Sequence, residues 1–85
     1  MSKRPAITFK ALDRYLRSLG FQLVQTRGSH RMYRHANPDG MIALPGVREN
    51  TNVRPAHLAA VRRTLQNLGL IDSDQAIADI VAQAH

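Results

Sequence analysis

FQLVQTRGSHRMYRHANPDGMIALP, residues 21–45, decides the fold. From Phe21 to Thr26 apolar and polar residues alternate with the period of a strand, with Phe21 and Leu23 expected to face inward. Arg27-Gly28 reads as a tight turn, and Ser29 to His35 as a second strand. Asn37-Pro38-Asp39-Gly40 is a strong turn signal, because proline fixes φ and Asn, Asp and Gly accept turn conformations. Met41 to Leu44 gives a third strand, with Ile42 and Leu44 on one face. Connections this short imply an antiparallel meander.

Helical spacing flanks the meander on both sides. Thr8 can cap a helix from Phe9 to about Leu19, with Phe9, Leu12, Leu16 and Leu19 on one face. Lys10, Asp13, Arg14 and Arg17 are expected to point to water, and Gly20 ends the helix. After the third strand, Gly46 to Asn52 reads as a polar loop. Pro55 suits the first turn of a second helix, since its missing N–H would have no partner there. Leu58, Val61, Leu65 and Leu68 form its apolar stripe, His57 is expected to face solvent, and Gly69 closes it. Asp72 with Gln75 resembles a capping box for a third helix, about Asp74 to Ala84, with Ile77, Ile80 and Val81 on one side. This acidic helix is expected to pack on the domain or to serve an interface, and residues 1–7 are expected to be a loose basic arm. The fold class is therefore α+β: an α-β-β-β-α two-layer sandwich with an added C-terminal helix. Both main helices lie on one sheet face and leave the other open.

Eighty-five residues make one domain with a modest core, burying about 60–65% of the unfolded surface, so a partner or a second copy of the chain would add stability. The absence of cysteine excludes disulfides and thiolate metal sites. No apolar run suggests a leader or a membrane span, so a cytoplasmic protein is expected. Charge is the stronger signal. Residues 1–71 hold all twelve Lys and Arg against three acids, a balance of +9, while residues 72–85 hold three acids and no Lys or Arg. A domain of this kind attracts polyanions, with affinity supplied by phosphate neutralisation and counterion release.

The chemistry concentrates at the first hairpin. Arg27, Gly28, Ser29, His30, Arg31 and Arg34 put three guanidinium groups, a hydroxyl, a flexible turn and an imidazole within eight residues. Glycine lets backbone N–H groups approach a phosphate, and arginine binds one with paired hydrogen bonds. Histidine titrates near neutrality and can move a proton in phosphodiester chemistry. By strand parity His30 shares a face with Met32 and Arg34, and Arg31 shares the other with Tyr33 and His35. Which face is buried stays open at this point. Tyr33 could stack on a base, and His35 reads as a polar residue at a turn. His30 and His35 face opposite sides and cannot share a metal, so neither a metal site nor a cofactor is expected.

The runs Leu19-Gly20-Phe21-Gln22-Leu23-Val24, Arg27-Gly28-Ser29-His30-Arg31-Met32-Tyr33-Arg34-His35, Asp39-Gly40, Ala43-Leu44-Pro45 and Leu65 to Leu70 together resemble the HicA family. These are toxins of bacterial type II toxin–antitoxin pairs. The resemblance covers roughly residues 8–71. It implies a fold like that of double-stranded-RNA-binding domains and metal-independent endoribonuclease activity on mRNA. By position it makes His30 the catalytic residue, with Gly28 and Ser29 shaping the turn around it; the residue chemistry adds Arg27, Arg31 and Arg34, and with them Gly28 and Ser29, as the RNA-binding candidates. It also implies an antitoxin partner covering His30. The loop after Pro45 and the added helix leave a second reading: a module of this fold that binds RNA or protein without cutting.

Overall fold

The computed structural model describes residues 7–27 and 30–71, and of residues 25–27 the backbone alone. The expected order is present: α1 (Phe9–Ser18), β1 (Gln22–Arg27), β2 (His30–Ala36), β3 (Asp39–Pro45) and α2 (Pro55–Asn67). The strands form one antiparallel sheet in the order β1-β2-β3. The expected third helix, with its Ile77-Ile80-Val81 stripe, lies outside the described residues.

Both helices end and begin for the reasons their sequences suggest. Thr8 Oγ1 accepts a hydrogen bond from the Ala11 N–H at 3.2 Å and so caps α1. At the other end Gly20 takes φ +102°, the left-handed conformation that an L side chain resists. Its N–H donates to the Arg17 carbonyl at 3.0 Å, and that of Phe21 to the Leu16 carbonyl at 3.0 Å. These two bonds make a Schellman motif, sealed by buried Leu16 and Phe21. The same pair of bonds closes α2 around Gly69, from Gly69 to Gln66 and from Leu70 to Leu65.

One core joins the helices to a single sheet face. Leu12 and Leu16 of α1 and Val61 and Leu65 of α2 pack with Phe21, Tyr33, Ile42 and Leu44. Leu58 and Leu68 are half-buried at its margin. Leu68 seats against β3 at Gly40, where a Cβ would stand 2.6 Å from its Cδ1. A larger residue there would force α2 away or Leu68 into another rotamer.

Several expectations need correcting. Ile7, assigned to the loose arm, is a core residue whose carbonyl accepts from the Val53 N–H at 2.7 Å; residues 1–6 lie outside the described residues. Leu23 sits opposite Tyr33 on the core side, yet remains 37% exposed. The register shifts between Leu23 and Gln25, and this bulge leaves Val24 half exposed. β1 is an edge strand, and the bulge interrupts its alternation between Leu23 and Gln25. The second hairpin turns on Asn37 and Pro38 alone, across a cis peptide bond, with Ala36 and Asp39 already paired. His57 is half-buried, and its Nδ1 is enclosed with no hydrogen-bond partner among the described residues.

Asp13 does not simply face water. Its Oδ1 accepts from the Tyr33 hydroxyl at 2.6 Å and its Oδ2 from Arg17 Nε at 3.0 Å, which ties β2 to α1. Tyr33 is 1% exposed, so it offers no stacking surface to a base. His35, expected at a turn, is also buried. Its Nδ1 lies 2.8 Å from the Pro38 carbonyl oxygen and its Nε2 2.9 Å from that of Leu19. Since carbonyls only accept, the ring N–H donates to one or the other according to the tautomer, and the ring bridges the second hairpin and the end of α1. Phe21 flanks the ring at 5.0 Å between centroids.

Two outcomes follow from these ties. Burial, then the hydrogen bond to Asp13 and its charge, push the Tyr33 phenol up to about 12. The unfolded chain loses that proton near 10 while the folded chain keeps it, so stability is full below pH 10 and falls as pH rises from 10 to 12. Chemical denaturation from pH 7 to 11.5 should show this fall, and Tyr33→Phe should reduce it to the part left by Tyr15, whose phenol burial also pushes up, while costing about 1–2 kcal/mol at pH 7. Gly20→Ala should lower stability by about 1–2 kcal/mol in the same measurement, because a side chain at φ +102° is strained and its Cβ would meet His35 Nε2 at 3.1 Å.

Candidate nucleic-acid interface

The register settles which face of β2 is open. Tyr33 pairs with Leu23 on one side and Ile42 on the other, and this row faces the helices. Residues one step away therefore face outward, since directly paired residues share a sheet face. Three three-residue rows and one pair make that open face: Arg27, His30 and Pro45; Gln25, Met32 and Ala43; Gln22, Arg34 and Met41; and Ala36 with Asp39. Met41 is 48% exposed beside Arg34, so an apolar side chain is presented at that part of the face.

His30 opens β2 and is exposed at one end of this face. Arg27 is its register partner across the first hairpin, so the backbone brings these two expected site residues side by side. Gly28 and Ser29, which complete the expected motif, lie outside the described residues. The other two arginines are not gathered around the imidazole. Arg34 shares the face but stands four residues along β2, about 13 Å away at the rise of an extended strand. There its Nε donates to Asp39 Oδ1 at 3.2 Å. Arg31 lies on the opposite face, half-buried, with Nη2 donating to the Val47 carbonyl at 3.3 Å. It also reaches the Tyr33 hydroxyl, where its charge opposes the upward push from Asp13.

The expected separation of His30 from His35 is present: one is on the open face, the other in the core. Among the described residues no group of three or more His, Asp or Glu side chains gathers within metal-binding range. None of the described helices is long and apolar enough to cross a membrane.

The segment after β3 contributes more than the sequence suggested. Pro45 is paired with His30, so the chain leaves the sheet at the imidazole and passes directly into residues 46–54. The carbonyls of Glu49 and Thr51 accept from the Lys10 and Phe9 N–H groups at 2.9 Å each, bringing the loop against the first turn of α1. Arg48, Lys10 and Arg14 are exposed along this path. The paired-strand register was the missing signal: without it nothing in the sequence puts Arg48 at the His30 end.

What the arrangement offers chemically is an accessible imidazole at the end of an open sheet face, beside an arginine-bearing strand and a cationic loop. An extended polymer can reach it without entering a cleft. In comparisons with known proteins, no family model matches the chain, and no curated protein or solved structure does.

Proposed function

We propose that this chain is a HicA-like endoribonuclease with a double-stranded-RNA-binding-domain-like fold, in which His30 is the general acid/base and mRNA the substrate. The observation that carries the reading is the exposure of His30 on the open sheet face, opposite Arg27 and Pro45. Two further features support it: the α-β-β-β-α order and the +9 balance of residues 1–71.

The chemistry needs few groups. RNA carries its nucleophile in the 2′-hydroxyl, so a site that aligns this oxygen with the adjacent phosphorus gains much of its rate from proximity. His30 accepts the 2′-hydroxyl proton as the O2′–P bond forms and the P–O5′ bond breaks, and water supplies a proton to the departing 5′-oxygen. The products are a 2′,3′-cyclic phosphate and a 5′-hydroxyl. Arg27 is the candidate for neutralising the phosphate, with Gly28 and Ser29 following it in sequence. In this reading a cognate antitoxin covers His30, its acidic side chains standing in for phosphate, and the toxin acts in the cytoplasm.

A second reading has an observation in its favour. Arg34 is ion-paired with Asp39 and Arg31 turns to the other face, so two of the three arginines expected around the phosphate are committed elsewhere. A non-catalytic module that binds RNA or protein would need no such cluster.

Cleavage of a labelled single-stranded RNA in buffer containing EDTA distinguishes the two. His30→Ala should lower the rate at least about 100-fold, the usual contribution of a positioned acid/base, while its affinity for the RNA changes less than about twofold. A variant that cuts as fast as the parent would remove His30 from the mechanism. Tight binding by the parent with no product over long incubation would favour the binding module.

A further inference from the structure

Building on the ribonuclease reading, we propose that the RNA strand continues from His30 around the end of the sheet onto the start of α1, its successive phosphates held by Arg48 and then Lys10. The loop between β3 and α2 is what makes this path. Pro45 stands opposite His30, and Arg48 follows it by three residues, at most about 10 Å of chain.

The loop is fixed where it matters. Arg31 Nη2 holds the Val47 carbonyl at 3.3 Å, and the Thr51 N–H donates to the Arg48 carbonyl at 3.0 Å. The Lys10 N–H donates to the Glu49 carbonyl at 2.9 Å. Arg48 and Lys10 are therefore neighbours through Glu49, one on the loop and one on the helix. The role of Arg31 changes accordingly: it positions the loop from behind instead of touching the phosphate at His30.

The two cations are also available. Arg17 is committed to Asp13 and Arg34 to Asp39, whereas Arg48 and Lys10 are exposed and make no ion pair among the described residues. Glu49 is the one acid in the loop. The first-turn N–H groups of Phe9, Lys10 and Ala11 are already bonded to Thr51, Glu49 and Thr8, so the contact is made by side-chain charge and not by helix amides. Point-charge contacts of this kind hold the backbone without reading bases.

The test measures fluorescence anisotropy of a labelled ten-nucleotide oligouridylate against salt, with the full chain carrying His30→Ala so that the probe survives. Adding Lys10→Ala and Arg48→Ala together should weaken binding about tenfold at 0.1 M salt and reduce the slope of log affinity against log salt by about 1.4, or 0.7 for each lost contact to a single strand. The charge-conserving pair Lys10→Arg and Arg48→Lys should stay within about twofold of the parent. An alanine pair with unchanged affinity and slope would overturn the track, as would equal weakening by both pairs, which would mark a structural role. A parent that fails to bind the oligonucleotide even at low salt would instead overturn the ribonuclease reading itself.

Discussion

Burial of Tyr33 is the constraint on which the rest of the arrangement depends. A strand has a period of two, so the placement of one side chain fixes the face of every other residue on it. With the Tyr33 ring in the core and its hydroxyl on Asp13, Arg31 and His35 share the helix-covered side, while His30, Met32 and Arg34 face outward. A register one residue different would have exposed the phenol and buried His30. The Asp13 hydrogen bond makes that alternative costly, because it would leave a carboxylate of α1 without its phenol donor and a large aromatic ring in water. The reach of the imidazole is thus set by a tyrosine three residues away that never touches it.

Polar ties of this kind suit a chain with so small a core. Asp13 joins α1 to β2, the His35 ring joins α1 to the second hairpin, and the carbonyls of Glu49 and Thr51 join the β3–α2 loop to α1. Each links segments distant in sequence. The first helix is the common partner in all three. It is held by its N-terminal turn, its middle and its C-cap, so the loop leaving the sheet at His30 inherits a fixed support.

The legible parts of the fold were those governed by local chemistry. Thr8, Gly20, Pro55 and Gly69 mark helix ends because capping and left-handed backbone depend on one or two residues. Ile42 and Leu44 stand out because alternation is a local pattern. The bulge at Val24 was not legible, since an extra residue in one strand is defined only against its partner. For the same reason the buried face of β2 stayed open: His30-Met32-Arg34 and Arg31-Tyr33-His35 each contain a residue able to fill a core. Ile7 and Val53, both buried in the core, escaped notice because they lie outside any periodic segment and are joined by a backbone bond across the fold.

The candidate site divides along the same line. Proximity in sequence put His30, Arg31 and Arg34 in one cluster, but neighbours on a strand point apart, and residues four apart stand more than a phosphate's width from each other. Proximity in space instead follows the ladder, which sets Arg27 and Pro45 beside His30 and, through Pro45, brings in the loop that carries Arg48. For a strand-borne site, then, cationic residues within a few positions of the histidine are weaker candidates than those reached through its paired partners. The arginines that the run of sequence made most conspicuous, Arg31 and Arg34, are the ones the ladder assigns to holding the loop and to pairing with Asp39.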